Sequence, residues 1–437
     1  MADEVVKGSP SKAFFVNMIT RDIDLSDAIL DLLDNAVDGV KKAAGNGPLD
    51  FTPYYAHLEF GPTEFSISDN CGGITIAIAK EYAFRFGKPE DVISEPTPHS
   101  IGLYGIGMKR ALFKMGRSVA VSSSTGQESF TVLIDVDTWR KQPDENWDFP
   151  LTNVVNQGTA EPTGTRLKVT KLYPWIGNEF EAPTFKNSLI RSIQRDYAFI
   201  LEKGFQVTVN GSAVAGKMPT LRLSNEVAPL RIQYDDEGVQ VQIIAGLAAP
   251  PPEDDSPQQR YPEQELYGWY VVCNERVVVT ADRTTLTGWG ADTVPAWHPQ
   301  FYGFMGIVRF EADDPRRLPW RTTKRDVDDS SSVYKRALVK MRQVTKEFID
   351  YTNRRKGDLR QARGTEAAAK PVAVSQIPAQ DRLTLPKMRK PEIRRICFDK
   401  PVAEIEAVGR ALGINVKSLK QVGIAAFDYV RDREVGK

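Results

Sequence analysis

Four short segments constrain the fold of this chain most, because acidic residues and glycines occur there at defined spacings within or beside the helix and strand patterns. They are residues 31–38, 69–73, 102–109 and 164–165. Between them the sequence predicts helices interleaved with hairpin-connected strands, for example at 57–60 and 64–68. This order favours an α+β fold over a doubly wound parallel sheet.

The first segment lies on a predicted helix with two unlike faces. At about 100° per residue, one face collects the apolar side chains Ile29, Leu32, Leu33, Ala36, Val37 and Val40. Asp31, Asn35 and Asp38 are spaced i, i+4 and i+7 and form a stripe on the opposite side. Two carboxylates and an amide oxygen can hold a hydrated divalent cation, but an acidic solvated helix face gives the same pattern.

The second and fourth segments each adjoin a predicted strand. Asp69 ends one strand and precedes Gly72 and Gly73, where glycines let the backbone approach a flat base closely. The Asp69 carboxylate can then accept a hydrogen bond from an exocyclic amine. A hairpin turn also favours Asp, Asn and Gly, and a turn would equally explain Gly164 and Thr165.

The third segment is a glycine loop in front of a helix predicted at 108–115. Gly102, Gly105 and Gly107 allow backbone N–H groups to surround phosphate oxygens, and the helix N-terminus favours negative charge. A Walker A loop is excluded because Lys109 comes one residue late and no Ser or Thr follows. A dinucleotide-binding loop is excluded because the third glycine and a βαβ frame are missing.

Composition and charge exclude several classes of protein. The 437 residues include 57 basic and 57 acidic ones, so bulk charge does not favour a polyanion as partner. Three scattered cysteines and three histidines without metal-ligand spacing argue against a disulfide framework or a metal knuckle. The sequence shows neither a signal core nor an apolar run of about 18 residues. We therefore expect a cytoplasmic protein of roughly two to three domains without a membrane span.

In order and spacing, the four segments resemble the N, G1, G2 and Thr boxes of GHKL ATPases. This class includes gyrase B, MutL, MORC proteins, heat-shock chaperones and histidine kinases. The resemblance implies that residues 1–175 form a GHKL-type α/β sandwich that binds ATP and Mg²⁺. It also implies a lid at 87–107. A weaker likeness to the transducer domain of MORC, MutL and gyrase proteins implies a second α/β domain at 176–353.

The resemblance implies catalytic and metal-binding roles near the phosphates. Asp31 would be the general base, Asn35 would ligate Mg²⁺, and Asp38 would belong to the same nucleotide-binding set. The family's usual base is glutamate, and aspartate is one methylene shorter, so we expect slow hydrolysis. The phosphate-binding set would be Gly102, Gly105, Gly107 and Lys109.

The resemblance also implies roles for residues that would contact adenine and for one lysine of the second domain. Asp69 would accept a hydrogen bond from the adenine amine, with Gly73 permitting close approach and Thr165 supporting the contact. Cys71 replaces the first glycine of the G1 box. Lys324 resembles the family's lysine that reaches across to the γ-phosphate and would act in catalysis, and an ordinary surface lysine is the alternative.

Beyond residue 175 the sequence predicts three more regions. The transducer-like domain would contain strands near 205–210, 230–233, 239–245, 267–273 and 304–311. Within it, Asn274 and Arg276 resemble the family's Asn-x-Arg strand. Residues 354–400 are basic, lack periodicity and predict a flexible linker, whereas 401–437 regain helical periodicity and predict a small helical C-terminal module.

Within the class, the sequence favours a bacterial-style MORC-like ATPase. The N box leaves no room upstream for the dimerisation hairpin of a histidine kinase. The residues after 350 are too few for a topoisomerase cleavage domain or a MutL endonuclease tail. We therefore expect a MORC- or MutL-like clamp that forms a homodimer on ATP binding. DNA or RNA would contact 354–400, and a protein partner would dock on 401–437. The alternatives are a chaperone-like scaffold that changes shape around a protein, and a nucleotide sensor without hydrolysis.

Overall fold

The helix that carries the acidic stripe is long because its apolar face is continuous. This helix, α2 (Leu25–Ala44), buries Ile29, Leu33 and Val37 completely. It follows α1 (Lys12–Arg21), which is capped where the Ser11 hydroxyl accepts a hydrogen bond from the Phe14 N–H. Residues 22–24 are not helical and separate these two helices.

The computed structural model describes most of the chain. The described residues are 10–44, 49–87, 97–102, 105–143, 145–252, 261, 263–321, 323–387, 396–397, 399–414 and 418–435. The chain forms two units, Met1–Met388 and Arg389–Lys437. Of the helices within the described ranges, none combines the length and the apolar character needed to cross a membrane.

The first unit contains an eight-stranded sheet. Its strands are β1 (Tyr55–Phe60), β2 (Glu64–Asp69), β3 (Gly116–Ser124), β4 (Ser129–Asp135), β5 (Leu151–Val155), β6 (Gly164–Leu172), β7 (Gln206–Val209) and β8 (Ser212–Ala213). They are ordered β5-β4-β3-β6-β2-β1-β7-β8. All neighbours are antiparallel except β1 and β7, which confirms the predicted α+β class.

Short helices complete this layer. They are α3 (Ile76–Ile78), which continues as a π-helical turn (Ala79–Ala83), α4 (Gly107–Met115), α5 (Val136–Lys141), α6 (Pro174–Glu181), α7 (Pro183–Asp196) and α8 (Ala198–Glu202). Helix α2 packs against α4. Leu33 of α2, Leu112 of α4 and Val169 of β6 share one hydrophobic core, so helices and sheet form the predicted sandwich.

The placement of the strand predicted at 205–210 in the second domain is wrong. Strand β7 extends the first sheet, pairing in parallel with β1 so that Tyr55 lies opposite Gln206. The helical stretch before this strand is interrupted at Tyr197, where α7 ends and α8 begins. A local pattern cannot reveal which sheet edge a strand joins, because that depends on how the preceding helices return the chain.

A second sheet follows in the same unit. Its strands are β10 (Leu230–Asp236), β11 (Val239–Leu247), β12 (Gly268–Cys273), β13 (Arg276–Asp282) and β14 (Phe304–Glu311), in the order β10-β11-β14-β12-β13. The long helix α9 (Ser332–Arg355) packs on β11 and β14. Short 3₁₀ helices lie at Gln264–Leu266, Thr285–Thr287, Pro299–Phe301, Pro315–Arg317 and Val374–Gln376.

The prediction of a flexible linker at 354–400 is wrong for its first half. This stretch contains α10 (Leu359–Ala368) and β15 (Lys370–Ala373), and β15 pairs with β9 (Thr220–Leu223). Glu366 is fully buried and accepts two hydrogen bonds from Arg355, at 2.8 Å each. Residues 388–395 and 398 lie outside the described part. The basic composition concealed this fold because the charge of Arg355 is paired inside the protein.

In the second unit, residues 399–414 and 418–435 are described and contain two helices, as the periodicity of 401–437 predicts. They are α11 (Val402–Ala411) and α12 (Leu419–Val430), followed by a π-helical turn (Arg431–Val435). Ile424, Phe427 and Val430 of α12 are exposed. The domain boundaries at 175 and 353 stay predictions.

Candidate functional site

The four segments meet at one cavity of about 430 Å³ in the first unit. All eleven residues predicted for the site line it, namely Asp31, Asn35, Asp38, Asp69, Gly73, Gly102, Gly105, Gly107, Lys109, Thr165 and Lys324. Lys324 follows the second sheet in the chain, whereas the other ten belong to the first layer. The lining therefore combines the first layer with the loop that follows the second sheet.

One end of the cavity is built from the sheet. Asp69 at the end of β2 lies opposite Thr165 of β6. Its Oδ1 accepts hydrogen bonds from the N–H groups of Cys71, at 2.8 Å, and Thr165, at 3.3 Å. Burial outweighs these two donors and raises the pKa of Asp69 to about 6. The Thr165 hydroxyl is fixed in turn by the Ser123 hydroxyl at 2.9 Å.

At two positions at this end, the backbone of a neighbouring segment is so close that only glycine fits. Gly73 has φ 71°, and a Cβ there would lie 2.0 Å from the Ser124 carbonyl oxygen. Gly164 has φ 142°, and a Cβ there would lie 1.9 Å from the Asp69 carbonyl oxygen. Any side chain would push the segments apart. Ile67, Ile74, Ile78 and Leu167 add apolar lining, so this end suits a flat ring with one polar edge.

Asp38 holds the backbone next to the glycine loop. Its two carboxylate oxygens accept hydrogen bonds from the Ile101 and Gly102 N–H groups, both at 2.6 Å. Burial raises the pKa of Asp38 despite these donors and the nearby Lys41. Residues 88–96 and 103–104 of the predicted lid lie outside the described part. Asp38 thus anchors the described edge of that segment at 101–102.

The other end of the cavity is built from ion pairs. Arg110 Nη2 of α4 donates to Asp31 Oδ2 at 2.5 Å, and both residues are buried. A Cβ at Gly107 would come within 3.2 Å of the Asp31 carboxylate, so the glycine loop lies against Asp31. Lys109, predicted to bind phosphate, is also buried and donates to the carbonyls of Ala83, at 2.9 Å, and Gly105.

Lys324 enters this end from the loop after the second sheet. Its Nζ lies 2.7 Å from Asp34 Oδ2 and 3.7 Å from Asp31 Oδ1. Burial alone would lower the pKa of Lys324, but the two carboxylates outweigh it and the pKa is raised. The ammonium group is therefore held as a cation inside the cavity wall.

Asp34 does not line the cavity but holds Lys324 in place, and sequence reasoning missed it. Its Oδ1 accepts hydrogen bonds from the Tyr197 hydroxyl, at 2.6 Å, and Arg276 Nε, at 3.1 Å. Burial opposes ionisation, but Lys324 and Arg276 outweigh it and lower the pKa of Asp34. Its i, i+3 spacing from Asp31 on α2 was the available signal, because such residues are neighbours on a helix.

The predicted Asn-x-Arg strand contacts the first layer at two points. Asn274 Nδ2 donates to the Ser100 carbonyl at 3.1 Å, beside the segment that Asp38 anchors. Arg276, at the start of β13, pairs with Asp34 and also with Asp196 of α7 at 3.2 Å. The second sheet is therefore tied to α2 and to the glycine loop by buried polar contacts.

Asp31, Asn35 and Asp38 do not form the three-oxygen cation site that their spacing allows. Asp31 is occupied by Arg110 and Lys324, and Asp38 by two backbone N–H groups. Among the described residues, no group of three or more His, Cys, Asp or Glu is arranged to hold a metal ion. Asn35 is exposed and lines the cavity. One amide oxygen fits Mg²⁺ that keeps its waters and arrives with phosphates.

The sandwich and the cavity together define a nucleotide-binding domain of the GHKL type. Residues 23–161 match the family model described as histidine kinase-, DNA gyrase B-, and HSP90-like ATPase. The chain therefore contains a GHKL-type ATPase domain. The match includes the first three segments, whereas Thr165 and Lys324 lie beyond it. No curated protein matches the chain.

Proposed function

We propose that this protein binds ATP with Mg²⁺ in the cavity and hydrolyses it slowly, as a nucleotide-gated homodimeric clamp of the MORC or MutL kind. The observation that carries the proposal is the meeting of all eleven predicted residues in one cavity. Ten come from the GHKL-type layer and one, Lys324, from the loop that follows the second sheet. A ligand in the cavity therefore touches both parts that a clamp has to move.

The two ends of the cavity fit the two ends of ATP. Adenine would lie against Ile74 and Leu167, with its amine donating to Asp69. The triphosphate would extend toward Gly102 and Gly107, where the loop precedes the N-terminus of α4. Asn35 would hold Mg²⁺, and the ion would supply charge neutralisation to the phosphates.

Hydrolysis would use Asp31 as the general base. The oxygen of a water molecule would attack the γ-phosphorus while an Asp31 carboxylate oxygen accepts the proton. The bond between the γ-phosphorus and the bridging oxygen would break, and that oxygen would leave with the electron pair on ADP. Asp31 is shorter than glutamate, and Lys324 Nζ lies 3.7 Å from its Oδ1, which supports slow turnover.

The decisive measurement compares the native chain with Asn35→Ala and Asp69→Ala. Titration calorimetry should show Mg²⁺-dependent ATP binding by the native chain and its loss in both variants. Asp31→Asn should bind ATP and accumulate as a dimer, because the step that releases the clamp is blocked. Undiminished binding in both alanine variants would remove the site assignment, and turnover by Asp31→Asn at the native rate would remove the base.

Nucleic acid is the proposed partner of the basic stretch from 354 to 400. Because residues 359–377 are folded, the contact can be tested by substitution. Arg360 and Lys370 are exposed, so Arg360→Gln with Lys370→Gln should weaken DNA binding without unfolding the chain. Raising salt from roughly 50 to 200 mM should weaken binding steeply as well. A flat salt response would end the nucleic-acid proposal.

The runner-up is a chaperone-like scaffold that changes shape around a protein partner. Exposed Phe427, Ile424 and Val430 on α12 favour it, because clustered apolar side chains on a short helix suit a protein contact. A chain that ends at residue 388 lacks this unit and retains the ATP cavity. Loss of a protein partner from the shortened chain, with DNA binding intact, would support the scaffold. Weaker DNA binding by the variant with Arg360→Gln and Lys370→Gln, with the protein partner retained, would support the clamp.

A further inference from the structure

We propose that Arg110 binds the terminal phosphate of ATP, and that its transfer from Asp31 to that phosphate frees Asp31 to act as the base. The inference rests on the proposed function and names the residue that distinguishes ATP from ADP. Among the described residues, four cationic side chains line the cavity, namely Lys42, Lys109, Arg110 and Lys324. Their positions and partners single out Arg110.

Arg110 lies where the terminal phosphate would be. It is in the first turn of α4, directly after the glycine loop, and it contacts Asp31 at 2.5 Å. Gly107 approaches the same carboxylate, so the loop, the helix N-terminus and Asp31 surround a single point. A phosphate there would meet backbone N–H groups on one side and the guanidinium on the other.

The guanidinium group of Arg110 has a donor without an acceptor. Of its five N–H groups, one on Nη2 is used by Asp31. Within the described residues, Nε is buried and has no hydrogen-bond partner. Buried donors that lack an acceptor are costly, and native proteins seldom leave them so. The planar fork of a guanidinium matches two phosphate oxygens, which would satisfy this donor.

The other three cations are less suited to this role. Lys109 Nζ donates to two carbonyls, and Lys324 Nζ is held by Asp34 and Asp31. Lys42 lies at the opposite end, because its turn of α2 packs on the backbone of Cys71 and Gly72, next to Asp69. In the described structure, Arg110 is the cation that both lies at the Asp31 end of the cavity and has a donor, Nε, without an acceptor.

The exchange determines when Asp31 can serve as the base. While Arg110 holds Asp31 Oδ2, the lone pair that accepts the guanidinium hydrogen is not available to a water molecule. A γ-phosphate offers the guanidinium more negative charge than a single carboxylate, so Arg110 would turn to it and release Oδ2. ADP lacks that phosphate, and Arg110 would stay on Asp31. The base would thus be freed only when the substrate is present.

The test measures the affinities of the full chain for ATP, a non-hydrolysable ATP analogue and ADP by calorimetry. Arg110→Ala should weaken binding of both triphosphates by about tenfold or more, with ADP changed less than about threefold. Arg110→Lys should restore part of the difference. Arg117→Ala is the matched control, because Arg117 is exposed on β3 and should leave both affinities unchanged.

Asp31→Asn tests the exchange from the other side. Removing the competing carboxylate charge should strengthen triphosphate binding several-fold and leave ADP binding nearly unchanged. Thermal unfolding identifies any variant that has lost its fold, and Arg110→Lys retains the charge if Arg110→Ala does not fold. Equal losses for ATP and ADP in the Arg110 variants, or unchanged affinity in both, would overturn the inference while ATP binding by the native chain stands. A native chain that binds neither nucleotide would instead overturn the proposed function.

Discussion

The two ends of the cavity are held together by different interactions. At the Asp69 end, the shape comes from backbone atoms, with Gly73 and Gly164 in close contact with neighbouring carbonyls. At the Asp31 end, the shape comes from side-chain charges that α2, α4 and the loop of Lys324 bring together. The close backbone contacts allow only one arrangement of the chain segments, whereas the charged side chains of an ion pair can change partners. The first end is thus suited to holding a ligand, and the second to sensing its state.

Removing a charge from the second end should have the largest effect on stability. Asp34→Ala leaves Arg276 and Lys324 buried without their shared carboxylate, so we expect a loss of about 3–5 kcal/mol in the free energy of unfolding. Urea denaturation measures it. Glu64→Ala is the control, because the pair of Glu64 with Lys168 is exposed and should be worth less than about 1 kcal/mol. Similar losses in both variants would show that the charged end is no more than a surface network.

A side chain at the backbone-built end should have the next largest effect. Gly164→Ala places a methyl group against the Asp69 carbonyl oxygen at positive φ, so we expect a loss of about 2–3 kcal/mol. ATP affinity should fall as well, since Asp69 would be displaced. Gly61→Ala is the matched control, because nothing lies within 4 Å of a Cβ there. Stability unchanged in Gly164→Ala would mean that the strands separate easily and that this end is not rigid.

The sequence predicted the first end better than the second. Asp69, Gly73, Gly164 and Thr165 carry a local signal, because turn residues at strand ends are recognisable, and the order of the four segments then assigned their role. Asp34 was not selected, because its partners Tyr197 and Arg276 come from distant parts of the chain. The α+β class and the helix of the stripe were predicted for the same local reason.

Two parts of the fold depended on contacts that no local pattern encodes. Strand β7 joins β1 instead of the second sheet because α7 and α8 return the chain to that edge. The first half of the predicted linker folds because Glu366 pairs with Arg355 in the interior and β15 pairs with β9. A basic composition predicts that the segment is solvated. Whether a charged side chain is instead buried depends on its partner in the tertiary structure.

Acidification should weaken ATP binding at the backbone-built end. This effect should be smaller than the effects of Asp34→Ala and Gly164→Ala. The pKa of Asp69 is raised to about 6, and the adenine amine donates to the ionised carboxylate, so affinity should fall as the pH drops through 6. Between pH 7.5 and 5.0 we expect the ATP affinity to fall about tenfold, or by about 1.4 kcal/mol.

ATP itself titrates in this range, so the measurement is the difference between the native chain and Asp69→Asn. The variant keeps an acceptor oxygen but loses the titration, so its affinity should change only as much as the phosphates dictate. Parallel pH profiles for the two proteins would show that Asp69 stays ionised or does not meet the base, and the contrast between the two ends would then rest on the glycines alone.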